Sequence, residues 1–88
     1  MVLGYQIRKS SVSMPSNIAE GFSRHSMPHY IQHLWTAHAS GAELETQVEL
    51  GTKLDLITPD NADLLIRDAQ EIGRMINGLV RSLERSRP

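Results

Sequence analysis

The chain of 88 residues has no cysteine. That excludes a disulfide scaffold and any thiolate metal or redox site, and it fits a reducing compartment. Aromatics are scarce: Tyr5, Phe22, Tyr30 and Trp35 are all of them. They are too few and too dispersed to make a stacking platform for single-stranded bases. No apolar run is long enough to span a bilayer. Met1-Val2-Leu3-Gly4-Tyr5 runs straight into Arg8-Lys9, without the apolar stretch of a signal peptide. No segment alternates with a period of two, so no strands are expected. The net charge is only −1, and bulk electrostatics make no strong case for nucleic acid. That small charge hides an asymmetry. Residues 1–38 carry Arg8, Lys9 and Arg24 against Glu20 alone, plus all four histidines, whereas residues 39–88 carry nine acids against six bases.

What is present is helical spacing, enough for one domain with a small core. Leu3, Ile7, Ser11, Met14, Ile18 and Phe22 advance by three or four residues and predict a helix over 3–22. Pro15 lies inside it and predicts a kink or local break near Ser11–Pro15, with Ser13 and Ser16 placed to satisfy freed backbone groups. Gly21 suits the helix end. Ser26 as N-cap and Pro28 in the first turn open a second helix. Along it Met27, Leu34, Gly41 and Val48 recur every seven residues, with Tyr30, Ala37, Leu44 and Gly51 as the partner row. This bundle seam predicts a helix over 27–57, and Ala37, Gly41 and Gly51 would admit a neighbouring helix closely. Thr58-Pro59-Asp60 marks the next start, with Asp60 and Asp63 complementing the helix dipole. In the helix predicted over 59–85, Leu65, Ile72 and Leu79 form one heptad row, and Ala69, Ile76 and Leu83 form the other.

Four constellations are candidates for function. Arg67, Arg74 and Arg81 repeat by seven, with Arg85 one turn on, and form a stripe opposite the apolar seam. Guanidinium forks match phosphate oxygens, but Asp63, Asp68, Glu71 and Glu84 lie three or four residues away and can turn the stripe into an ordinary solvated face. Adding Arg8, Lys9 and Arg24 completes the candidate nucleic-acid contacts. His25, His29 and His33 are spaced by four, but only His29 and His33 fall well inside a helix, and zinc chemistry would need a third ligand. Glu45 and Glu49 share a face that Glu43 does not, and no nucleophile–base order or Gly-rich phosphate loop accompanies them, so neither an enzyme nor a cofactor is expected. Asn17 and Glu20 on one helix, and Ser40, Glu43 and Gln47 on another, would make either a buried hydrogen-bond network that sets helix register or an exposed polar edge.

Gln6-Ile7-Arg8-Lys9, followed by Ser13-Met14-Pro15-Ser16-Asn17-Ile18-Ala19-Glu20-Gly21-Phe22, resembles the signature of the four-helix-bundle proteins encoded in intervening sequences of bacterial 23S ribosomal RNA genes. The likeness continues through Tyr30-Ile31, Ala37, Ser40, Glu43-Leu44-Glu45-Thr46-Gln47 and Met75-Ile76-Asn77-Gly78-Leu79. The resemblance implies a cytoplasmic bacterial protein, an antiparallel bundle, assembly into a homopentamer and no catalytic residues. The accessory proteins of diversity-generating retroelements look similar, which implies RNA and a reverse transcriptase-like protein as partners. Members of the family usually carry a further helix ahead of the segment that starts here at Leu3.

The expectation is therefore an all-α, antiparallel up-down bundle with three helices of a four-helix pattern, whose uncovered apolar strip drives self-association. The leading function is a non-enzymatic oligomer that binds structured RNA or a ribonucleoprotein. The alternatives are a structural or protein-interaction module, with Ile66, Gly73 and Val80 as its contact strip, and a remnant without independent function.

Overall fold

The three segments of helical spacing become three α-helices in the computed structural model, which describes residues 2–23 and 25–86: α1 (Val2–Ser23), α2 (Met27–Lys53) and α3 (Pro59–Arg85). The described residues include no strand. The short connections between the helices make neighbours antiparallel. Both α1 and α3 pack on α2, while the backbones of α1 and α3 do not approach one another. The result is an up-down bundle, 50 × 21 × 13 Å, with α2 as its spine and one side open.

Two apolar clusters hold it together. At one end Met14 of α1 meets Leu44 and Val48 of α2 and Ala62 and Ala69 of α3, with Ile7, Ile57 and Ile66 packed around them. At the other end Leu34 and Ala37 meet Ile76 and Val80, flanked by Ile18, Tyr30, Ile31 and Leu83. Small residues set the spacing, and Ala37, Gly41 and Gly51 of α2 are all buried. A methyl group on Gly41 would lie 3.1 Å from Met14 Cε, and one on Gly51 would lie 2.6 Å from Ile57 Cδ1.

Local expectations fail at three places. The first is Pro15. α1 is helical throughout, with Pro15 inside it. Ser11 bonds the Ile7 carbonyl at 2.8 Å, and Ser13 turns to α2 instead of serving the backbone. The second is Gly21, which is not a left-handed cap. No glycine has positive φ among the described residues, and the left-handed residue after α1 is His25, at φ 55°. Gly21 is buried inside the helix, where α1 crosses Tyr30 and His33 of α2.

The third is the end of α2, at Lys53 instead of Ile57. Asp55 takes φ 58°, Leu56 N–H donates to the Gly51 carbonyl at 2.8 Å, and Asp55 N–H donates to the Thr52 carbonyl at 3.1 Å. These are the two bonds of a Schellman motif, with aspartate at the position glycine usually fills. Asp55→Gly should therefore raise stability by roughly 0.5–1 kcal/mol, the left-handed penalty less the added freedom of the unfolded chain. A thermal scan checks this, and a lower Tm would show that the Asp55 carboxylate makes a contact worth more than its backbone strain. At the start of α3, Thr58 Oγ1 accepts from Asn61 N–H at 3.2 Å, with Pro59 in the first turn. Ser26 occupies the N-cap position of α2, but its side chain makes no capping bond.

Candidate functional site

The open side of the bundle is an apolar groove of about 690 Å³. Its floor is Leu34 and Leu44 of α2. One wall is Met14, Pro15 and Ile18 of α1, and the other is Leu65, Ile72, Met75, Ile76 and Leu79 of α3. Ser11 and Asp68 are its polar lining residues, and the Ser11 hydroxyl is already bound to the Ile7 carbonyl.

The two heptad rows of α3 have different fates. Ala69 and Ile76 are buried against α2 and Leu83 is half-buried, whereas Leu65, Ile72 and Leu79 face the groove and stay 38%, 37% and 36% exposed. The flank carrying Ile66, Gly73 and Val80, expected as a contact strip, is turned toward α2. Val80 is only 1% exposed, and Ile66 and Gly73 are half-buried. Gly73 leaves room there for the His38 ring. Polar contacts clip the same seam, with Gln70 Nε2 donating to Glu45 Oε1 at 3.0 Å and Asn77 Nδ2 lying 3.4 Å from His38 Nε2.

Arg67, Arg74, Arg81 and Arg85 are all exposed. Arg74 is two residues from Ile72, a rotation of about 200°, so the arginine row and the groove row occupy nearly opposite faces of α3. Whatever fills the groove leaves the row in solvent. Arg74 donates to Glu71 at 2.8 Å, an exposed pair that holds little energy. Arg8 and Lys9 are exposed on α1, remote in sequence from that row, and Arg24 lies outside the described residues.

The α1–α2 interface contains a chain of polar side chains. Asn17 Nδ2 donates to the Ser13 carbonyl at 2.8 Å and to Ser13 Oγ at 3.0 Å. Its Oδ1 is therefore left as acceptor, and His33 Nδ1, at 3.2 Å, must carry the proton. Ser40 Oγ donates to the Thr36 carbonyl at 3.1 Å, so the 2.8 Å contact between Ser13 and Ser40 runs with Ser13 as donor. Every direction in this chain follows from the one before.

Of the five network candidates, Asn17 and Ser40 thus meet through Ser13. Glu20 and Glu43 lie on exposed surface, and Gln47 is half-buried, its Oε1 buried without a partner. Ser13 and His33 are the members that sequence reasoning missed. Ser13 stands four residues before Asn17, on the same helix face, and that spacing was the available signal. Glu45 reaches α3, while Glu49 and His29 are exposed. No cluster of three or more His, Cys, Asp or Glu that could hold a metal ion occurs among the described residues. None of the described helices is long and apolar enough to cross a membrane.

A family model described as 23S rRNA-intervening sequence protein matches residues 1–78. The chain is also similar to the crystal structure of a protein of unknown function from the S23 ribosomal protein family of Bacteroides thetaiotaomicron. The two are 26% identical, the match covers 91% of this chain and 74% of that one, and the TM-score is 0.87. Among curated proteins, none matches the chain.

Proposed function

Because this chain belongs to the 23S rRNA-intervening sequence protein family, we propose that it is a non-enzymatic, self-associating helical-bundle protein that binds structured RNA or a ribonucleoprotein in the cytoplasm. The observation that carries the RNA reading is the exposure of Arg67, Arg74, Arg81 and Arg85 on the face of α3 turned away from the groove. Successive members of the heptad row stand roughly 10 Å apart, and guanidinium groups so spaced can each engage a phosphate of a folded RNA. Self-association draws its support from the groove, where Leu65, Ile72, Met75 and Leu79 form an exposed apolar face along α3. The non-enzymatic reading rests on the groove's chemistry, because its polar lining residues are a serine bound to its own helix and one carboxylate.

The charge around the row limits the strength to expect. α3 carries Asp60, Asp63, Asp68, Glu71 and Glu84 beside its four arginines, so RNA binding should be moderate and strongly salt-dependent. In a titration of a labelled RNA hairpin at 50 and 200 mM salt, replacing all four arginines by glutamine should flatten the log–log salt slope by about 3. An unchanged slope removes the row from the site. A folded oligomer that fails to bind the hairpin at low salt ends the RNA reading. The second reading, a protein-interaction module, then takes its place, and the groove is the observation that favours it.

A further inference from the structure

We propose that a polar pit on the far flank of the α2–α3 seam binds a single guanine base. The RNA reading above supplies one source, an unpaired guanine of a folded strand, and the proposal rests on that reading only for this choice. A free guanine nucleotide is the other source.

The pit has a volume of about 240 Å³, below the roughly 300–1,000 Å³ of pockets that hold drug-sized ligands, and so suits one ring system. Asn77, which lines it, lies five residues after Ile72, about 140° round α3. The pit therefore opens away from the apolar groove and does not depend on it. Gly41 and Ala42 of α2 face Ala69 and Gly73 of α3 across it, and walls without long side chains admit a flat ring.

Packing gives no reason for glycine at position 73. Its φ is not positive, and a Cβ there would stand at ordinary contact distance, 3.7 Å from His38 Nε2 and 3.8 Å from His38 Cδ2. Alanine would fit and is the better helix former. What glycine preserves is open space beside the imidazole.

Polar groups of opposite character stand at the two ends. At one end half-buried Glu45 accepts from Gln70 Nε2 at 3.0 Å, which orients the carboxylate and leaves most of its lone pairs free. At the other end Asn77 Nδ2 lies 3.4 Å from His38 Nε2, beyond the usual hydrogen-bond range, so both groups are open to a better partner. The two pairs are seven residues apart on each helix, roughly 10 Å along the seam. Arg74 stands exposed on the rim, with one guanidinium nitrogen on Glu71 and further N–H donors left over.

Guanine alone among the RNA bases offers a carboxylate two adjacent donors, N1–H and the N2 amine. Its N7 and O6 acceptors then lie toward the donors at the other end. Adenine and cytosine would turn a ring-nitrogen lone pair on the carboxylate, and uracil its carbonyls. The carboxylate also keeps phosphate out of the pit and leaves it to Arg74 on the rim.

Trp35 is the only tryptophan, and its ring centroid lies 5.7 Å from that of His38, so its fluorescence reports on the pit. Guanosine monophosphate over roughly 0.01–10 mM, the range of weak small-ligand binding, should give a saturable change. Adenosine monophosphate should bind about tenfold more weakly or worse. Glu45→Gln keeps an acceptor for Gln70, and its amide matches the paired donor and acceptor of adenine, so it should abolish or reverse the preference. Gly73→Ala should weaken guanine binding while raising Tm, whereas a purely structural role would move both the same way.

No saturable change with guanosine monophosphate, equal affinity for the two nucleotides, or a preference that survives Glu45→Gln overturns the proposal. Hairpins carrying one loop guanine or one loop adenine distinguish the sources. A preference for the guanine hairpin supports a base in RNA, and equal hairpin affinities beside a retained nucleotide response support the free nucleotide. Salt-dependent hairpin binding without any nucleotide response loses the pit and retains the RNA reading, and a nucleotide response without hairpin binding does the reverse.

Discussion

Leu34→Ala should lower the unfolding free energy by about 3 kcal/mol, within the 2–5 kcal/mol that buried leucine truncations span. Leu34 is fully buried and sits where Ala37, Ile76 and Val80 converge, with Ile18, Tyr30, Ile31 and Leu83 around them. A small single domain of this length holds roughly 4–13 kcal/mol in all, so the loss is a large share of it. In urea the midpoint should fall while the slope with denaturant stays unchanged. The comparison must be made at one protomer concentration, since any association would add its own stability. Phe22→Ala is the control. Phe22 is 70% exposed and meets the core only edge-on, with its ring centroid 6.1 Å from that of Tyr30. Equal losses for the two variants would refute the assignment of Leu34 to the centre of the α2–α3 core.

The second large effect is at Gly21. A Cβ there would lie 2.7 Å from His33 Cβ, 3.1 Å from Tyr30 Cδ1 and 3.3 Å from the Tyr30 carbonyl oxygen. Two of these three neighbours are stiff: a Cβ and a backbone oxygen cannot swing aside as a side-chain tip does. Gly21→Ala should force α1 away from α2 and cost about 1–3 kcal/mol, even though alanine is the better helix former by about 1 kcal/mol. Gly41→Ala is the informative partner. Its new methyl meets Met14 Cε at 3.1 Å, the mobile end of a flexible side chain, and the propensity gain should leave the variant neutral or slightly more stable. In a domain of this size each kcal/mol moves Tm by roughly 4–8 °C, so the two alanines should separate clearly in a melt. Equal Tm values would mean that α1 can shift on α2 at no cost, and the close crossing would lose its structural role.

The helices themselves were legible because each carries a long heptad pattern, and periodicity over three or more turns outweighs local irregularities. The errors fell where a single residue type has two readings. Glycine at position 21 can be a left-handed cap or a point of close approach, and the partner that decides between them, Tyr30–His33, is on another helix. Proline at position 15 suggested a kink or a local break, and the break does not occur because a helix packed along its length against α2 is held in place by that packing. The end of α2 was read too late because Leu54, Leu56 and Ile57 continue the apolar pattern and the turn is made by aspartate. Among the polar residues, Asn17 and Ser40 were suspected, but their link through Ser13 depends on how far each helix is rotated about its axis. That rotation brings together hydroxyls 27 residues apart.

By itself the sequence determined the helix count, the up-down order and the existence of two apolar rows on α3. These depend on spacing along one chain and on short connections, which are local properties. Only the tertiary structure decided which row is core and which is surface. The two rows are about equally apolar, and nothing within α3 distinguishes Ile72 from Ile76. The distinction arises because α2 is a single helix and covers one row, Ala69 and Ile76, while α1 stands too far off to cover the other. Whether a helix face is core or surface depends on what stands beside it, and that is a property of three helices in space.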